Sequence, residues 1–191
     1  MPARDVIDVW QVSAGDRSRG EAAMRAVLGS YLAADPATLL FQAGPHGKPA
    51  LAGHALHFSF SRSGSRALVA VSRERPVGID LERVKPRRAV ERFARRRFAG
   101  DEAAALARLA EPGRTTAFHR CWTGKEAYAK GLGTGLSLGL GSFSVAGLAE
   151  GRARCTVGGW DVAAVPAPAG HVAALAAPGS AWRVRVHGGL R

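Results

Sequence analysis

Cysteine, lysine and acidic residues are all scarce in this 191-residue chain, and each scarcity excludes something. The two cysteines, Cys121 and Cys155, form neither a CxxC pair nor a zinc-ligand spacing. A disulfide scaffold and a thiolate zinc site are therefore not expected, and reduced thiols in a reducing compartment are the simplest reading. Long apolar runs are missing too. Residues 131–149 and 162–182 contain no Asp, Glu, Lys or Arg, but glycines interrupt the first, and Pro166, Pro168, Gly170 and Pro178 interrupt the second. No membrane helix is expected. The opening MPARDVIDVW lacks the apolar stretch of a signal peptide, so a cytoplasmic location is expected. No nucleotide-binding fingerprint occurs, because GLGTGL follows a predicted helix where a phosphate-binding glycine loop should follow a strand.

The shortage of acidic residues leaves 15 Asp and Glu against 27 Lys and Arg, a formal net charge of +12. Such a balance favours anionic partners: nucleic acid, anionic lipid, phosphorylated metabolites or an acidic protein. Among the basic residues only Lys48, Lys85, Lys125 and Lys130 are lysines. Where arginine is the default cation, a retained lysine marks a place that needs a compact, titratable ammonium, or else an ordinary surface position. With 47% apolar and 22% charged residues the chain has the composition of a folded protein.

Residues 20–34 carry a helical stripe of Ala23, Val27 and Tyr31, ended by Asp35-Pro36. A short strand is expected at Leu39-Leu40-Phe41. Residues 56–61 alternate, with Leu56, Phe58 and Phe60 on one side and His57, Ser59 and Ser61 on the other. They form a hairpin with residues 67–72 through a moderately long SRSGS loop. Residues 73–76 are a junction and 77–84 the next strand. Helices are expected over 89–110, broken near Gly100-Asp101, and over 115–130, closed by Gly131, Gly133 and Gly135. Strands are expected at 141–146, 152–157, 160–165, 171–176 and 181–186. Helix followed by mostly antiparallel strands in each half indicates an α+β fold.

Two segments carry candidate chemistry. In PVGIDLERV, residues 76–84, strand alternation turns Val77, Ile79 and Leu81 one way and Gly78, Asp80 and Glu82 the other. Two carboxylates on one face repel unless a cation lies between them, and oxygen-only donors suit a hard ion such as Mg2+. A polar edge strand neutralised by the many arginines fits the same residues. In CWTGKEAYAKGLGTGL, residues 121–136, Trp122, Glu126 and Lys130 share one helical stripe. By itself this is also the pattern of a surface Glu–Lys pair worth about 0.2–0.5 kcal/mol. Taken together, the segments offer three carboxylates for one metal ion and a lysine to discharge a phosphate leaving group.

GIDLE and WTGKEAYAKGLGTGL together resemble the 4'-phosphopantetheinyl transferases of the surfactin-activator type. That family pairs a Gly–Ile/Val–Asp–x–Glu strand with a later helix of the form Phe/Trp–x–x–Lys–Glu–Ala/Ser–x–x–Lys. Here Asp80 and Glu126 are 46 positions apart, and the helix has the Trp and Lys-Glu-Ala variant. Residues 47–49, GKP, and 57–63, HFSFSRS, are similar to the family's GKP loop and HFN-x-SHS segment, and LSLGLGSFSV also matches. There are two departures. The family's SHS histidine is Arg62 here, and the N-terminus appears shortened, leaving Arg17 and Arg19 as stand-ins for the basic residues that hold the 3'-phosphate.

The resemblance implies two similar α/β halves, residues 1–75 and 76–191, related by a pseudo-twofold axis, in one compact monomer with coenzyme A between them. It implies Mg2+ on Asp80, Glu82 and Glu126, with Glu126 and Lys130 catalytic. It places coenzyme A against Arg25, Gly47, Lys48, Phe60, Ser61, Arg62, Asp80 and Lys130. An apo acyl or peptidyl carrier protein would be received at Gly131, Leu132, Gly133, Gly135 and Leu136. The implied reaction moves phosphopantetheine from coenzyme A to a carrier serine, leaving adenosine 3',5'-bisphosphate, with no nucleic-acid or membrane partner. Two alternatives remain at this point. One is a basic nucleic-acid-binding module, since residues 73–97 hold ten basic and four acidic side chains. The other is an inactive carrier-docking protein of the same fold. Transfer of a labelled coenzyme A arm to an apo carrier separates all three.

Overall fold

The computed structural model describes residues 5–44, 46–86 and 89–189. The elements run β1 (Asp5–Ser13), α1 (Arg17–Leu32), β2 (Phe41–Ala43), β3 (Pro49–Leu51), β4 (His57–Ser63), β5 (Arg66–Ser72), β6 (Gly78–Arg83), α2 (Val90–Arg97), α3 (Gly100–Ala107), α4 (Gly113–Leu132), α5 (Ala146–Ala149), β7 (Arg154–Val157), β8 (Trp160–Val165), β9 (His171–Pro178) and β10 (Trp182–His187). The fold is α+β, as expected.

Two four-stranded sheets, ordered β10-β1-β5-β4 and β6-β9-β8-β7, carry the core. Strand alternation divides that core into layers. Leu68 and Ala70 of β5 pack with Val77, Ile79, Leu81 and Leu175 between the sheets. Val69 and Val71, on the opposite face of β5, pack instead with Met24, Val27 and Leu28 of α1. On the far side of the second sheet, Phe118, Cys121, Ala127 and Tyr128 of α4 pack with Val162, Ala174 and Ala176. The order is therefore helix, sheet, sheet, helix, with α1 outside one sheet and α4 outside the other.

Several local expectations are corrected. The β4–β5 hairpin closes through only Gly64 and Ser65, because Ser63 still pairs with Arg66. Gly64 takes φ +62°, the left-handed conformation that such a tight turn favours in glycine. The strand expected at 39–41 lies at Phe41–Ala43. The strand expected at 141–146 is absent, and the chain there is irregular before α5. β1 was not anticipated. It pairs antiparallel with β5 and parallel with β10, so the last strand returns to the first sheet. A division at residues 75 and 76 therefore separates the two sheets only as far as β9.

The sheets meet at their edges, β4 and β6, without pairing backbone to backbone. The side chains of Ser59, Ser61 and Ser63 accept hydrogen bonds from the amides of Ile79, Leu81 and Arg83 at 3.0, 3.2 and 2.9 Å. Every second residue of β4 thus satisfies an amide on the edge of β6.

Candidate active site

At the middle rung of this serine ladder the charged groups of β6 and α4 converge. Asp80 is buried, with 4% of its surface exposed, and its Oδ1 accepts from Ser61 Oγ at 2.8 Å and from Lys130 Nζ at 2.7 Å. Lys130 also donates to Ser61 Oγ at 3.1 Å. The second oxygen, Asp80 Oδ2, is buried and has no hydrogen-bond partner. An unpartnered buried carboxylate oxygen is costly unless a ligand completes it.

β6 and α4 approach this closely because glycine stands at Gly78. A Cβ there would run into the carbonyl of Ala127 and the amide of Gly131. The contact sets the β6 carboxylates beside the helical stripe of Glu126 and Lys130. Burial raises the pKa of Glu126, and the nearby charges of Asp80 and Glu82 add to it, against the lowering effect of Lys130. Three carboxylates thus share one electrostatic field. Their oxygen-only donors, with the orphaned Asp80 Oδ2, fit a hard divalent cation. Among the described residues no three His, Cys, Asp or Glu side chains stand together as ready metal ligands. The carboxylates share a field without forming a finished cage.

Lys130 opens onto a cavity of about 590 Å³ lined by Arg17, Met24, Arg25, Phe41, His46, Gly47, Lys48, Phe58, Phe60, Gly133 and Gly135, among others. Arg25 is fixed in its wall by Glu21 Oε1 at 3.2 Å and by the carbonyls of Pro36 and Leu39 at 3.2 and 3.0 Å, over the ring of Phe41. Gly47 shapes the loop at φ +80°. Of the two basic candidates near the N-terminus, Arg17 lines the cavity, whereas the exposed Arg19 pairs with Asp16.

Four expected residues stand differently from the simple picture. Ser61 has its one proton and both lone pairs engaged by Asp80, Leu81 and Lys130, so its hydroxyl organises the site internally. Arg62 is exposed, donates to the carbonyl of Gly64 at 3.1 Å, and lies outside the described cavity lining. Lys48 reaches the carbonyls of Val77 and Gly131. Leu136 lies in the short 3-10 turn Gly135–Leu138, with its side chain outside the described residues. Of the other expected carrier contacts, Gly131, Leu132 and Gly133 line a second cavity of about 470 Å³ beside the first, and Gly133 and Gly135 line the first itself.

Other residues of the site were not anticipated. Among them, Met24, Phe41, His46, Pro49 and Phe58 line the cavity. The Phe58–Phe60 alternation carried the signal for one of them. Lys125, beside Glu126, is fully buried and serves the core: it pairs with the equally buried Glu102 at 2.7 Å and donates to the carbonyls of Leu140 and Phe143, each at 2.6 Å.

The family model described as the 4'-phosphopantetheinyl transferase superfamily matches residues 76–176, just over half of the chain, including β6, α4 and every carboxylate of the site. The chain belongs to the 4'-phosphopantetheinyl transferase superfamily. It is 34% identical over 169 residues to the 4'-phosphopantetheinyl transferase HetI of Nostoc sp., an alignment covering 86% of this chain and 71% of that protein. It is 35% identical to a 4'-phosphopantetheinyl transferase of Bacillus subtilis and 33% identical to Sfp of Bacillus subtilis. Each of these two alignments covers 66% of this chain and 55% of the relative. The chain thus spans little more than half the length of some of the curated relatives it matches.

Proposed function

We propose that the chain transfers the 4'-phosphopantetheine arm of coenzyme A to a serine of an acyl or peptidyl carrier protein, acting with Mg2+ as a cytoplasmic monomer. The observation that carries this reading is the Asp80–Lys130 contact at the cavity, 2.7 Å long, with Asp80 Oδ2 left for a further ligand. The serine oxygen bonds to the β-phosphorus of coenzyme A, the bond to the α-phosphate oxygen breaks, and adenosine 3',5'-bisphosphate leaves. Such chemistry needs positioning and charge neutralisation more than covalent assistance.

Asp80, Glu82 and Glu126 would hold the Mg2+, which polarises the pyrophosphate and offsets its charge. Glu126, whose pKa is raised by burial and by the charges of Asp80 and Glu82, takes the serine proton directly or through a water. Lys130 lies between the carboxylates and the cavity and neutralises the departing phosphate. Arg17 and Arg25 supply cations along the coenzyme A side, with Phe41, Phe58 and Phe60 as apolar surface for the rest of the ligand. The surplus charge of +12 steers both a polyanionic cofactor and an acidic carrier toward the chain. Incubation with labelled coenzyme A, Mg2+ and a panel of apo carriers tests the reading. Label on the carrier serine supports it, and no label on any carrier rejects it.

A further inference from the structure

Lys48 belongs to the loop between β2 and β3, yet its side chain ends on the other sheet and its helix. Its Nζ donates to Val77 O at 2.9 Å and to Gly131 O at 3.1 Å. These two carbonyls are special in the chain. Val77 immediately precedes Gly78, where β6 begins, and Gly131 immediately follows Lys130 near the end of α4. The last carbonyls of a helix lack partners in their own helix and carry its negative end, so an ammonium there acts as a cap. Lys48 is such a cap, supplied from outside α4. Its methylenes lie along the turn that ends the helix, where a Cβ on Gly133 would sit 3.5 Å from Lys48 Cδ.

The placement has a geometric consequence. β6 and α4 come close enough at Gly78 that a Cβ there would meet the backbone of Ala127 and Gly131. Lys48 bridges the two backbones at that junction. Three residues along β6 is Asp80, and one residue back along α4 is Lys130, whose 2.7 Å contact depends on the register of the two elements. Burial lowers the Lys48 pKa to about 8, a cost that its two carbonyl partners offset. The charge also lowers the pKa of His57 on β4, after the effect of that residue's own burial, while His46 shares the lining of both cavities with Lys48.

We propose that Lys48 is a positioning residue: its ammonium, bound to Val77 O and Gly131 O, holds β6 and α4 in the register that sets Lys130 on Asp80. This role rests on the transferase reading and differs from that of a phosphate ligand, which would act only when coenzyme A is bound.

Lys48→Met in the full chain separates the two roles. Coenzyme A binding is measured by calorimetry, transfer kinetics with an apo carrier, and amide hydrogen exchange without coenzyme A. Positioning predicts that kcat falls by at least about tenfold while the coenzyme A Kd stays within about threefold. It also predicts faster exchange over residues 77–79 and 131–134 with no ligand present. Lys48→Arg, which keeps donors for both carbonyls, should recover most of kcat, and it serves as the decisive variant if Lys48→Met does not fold. A coenzyme A Kd raised by about tenfold, with kcat at saturation and apo exchange unchanged, overturns the proposal in favour of a phosphate ligand. Wild-type kinetics and exchange in Lys48→Met overturn it as well. If the wild-type protein transfers nothing to any carrier, the transferase reading fails, and the exchange measurement still judges the bridge.

Discussion

The hydroxyl of Ser61 gives its only proton to Asp80 Oδ1, 2.8 Å away, while accepting from Leu81 N and Lys130 Nζ. One small side chain of β4 thereby joins the sheets, orients the buried carboxylate and leaves Asp80 Oδ2 as the free oxygen. Ser61→Ala strands the buried Leu81 amide and releases Asp80. Stability should fall by about 1–3 kcal/mol. The Mg2+ concentration for half-maximal transfer should rise at the same time. Urea denaturation and a Mg2+ titration check the pair of effects, and a variant unchanged in both would mean that the ladder is not energetically coupled to the site.

The buried Lys125–Glu102 pair sits under the segment that follows α4. Glu102 also accepts from the amides of Ala99 and Val145 at 2.9 and 2.7 Å. Lys125→Met leaves that carboxylate buried without its counter-charge and should cost about 3–5 kcal/mol. Replacing both residues by apolar ones should recover part of the loss. Equilibrium unfolding of the single and double variants measures it, and a loss under about 1 kcal/mol in Lys125→Met would show that the pair is not holding this segment.

Asp8 ties the two ends of the chain together. Arg185 Nε and Nη2 donate to it at 2.6 and 3.0 Å, Tyr31 donates at 2.7 Å, and His187 Nε2 lies 2.7 Å away. Burial alone would raise its pKa, but the hydrogen bonds from Arg185, His187 and Tyr31 and the charge of Arg185 prevail and bring it from 3.8 to about 2. A depressed carboxylate contributes stability that is fully present above its unfolded pKa and is lost as pH falls through the folded one. The Asp8 contribution should therefore hold down to the unfolded value of 3.8 and disappear as pH approaches about 2. Asp8→Asn should be less stable at neutral pH and should show a flatter Tm profile across that window. Parallel profiles for the two proteins would contradict the assignment.

Leu132 is exposed at the end of α4 and lines the second cavity, beside the one onto which Lys130 opens. Leu132→Asp should raise the carrier KM at least about fivefold while leaving the coenzyme A KM within about twofold, the signature of a contact made only to the carrier. Equal changes in both constants in a folded variant would remove this end of the helix from the docking surface.

The carboxylate face of β6 was legible because period-two alternation is local: Asp80 and Glu82 could be placed on one face, opposite Val77, Ile79 and Leu81, from spacing alone. The Trp122–Glu126–Lys130 stripe was legible by the same logic at helical period. What was not legible depends on distant partners. β1 interrupts its apolar pattern with Asp8, a residue whose burial makes sense only once Arg185 and His187 arrive from the other end of the chain. Residues 141–146 look like a strand, yet the buried Lys125 and Glu102 capture the carbonyl of Phe143 and the amide of Val145, and the segment stays irregular. Lys125 and Lys130 sit one helical turn and a fraction apart with identical chemistry. Only the packing shows that the first is enclosed by the core while the second opens on the cavity.

Intact-mass measurement of an apo carrier protein, after incubation with the chain, coenzyme A and Mg2+, tests the central claim most directly. The account predicts that one phosphopantetheinyl group is added to the carrier. It also predicts that excess EDTA, Asp80→Ala or Lys130→Met in a folded protein prevents the addition. A full yield of modified carrier in excess EDTA, or from Asp80→Ala, would contradict a reaction centred on the β6 carboxylates.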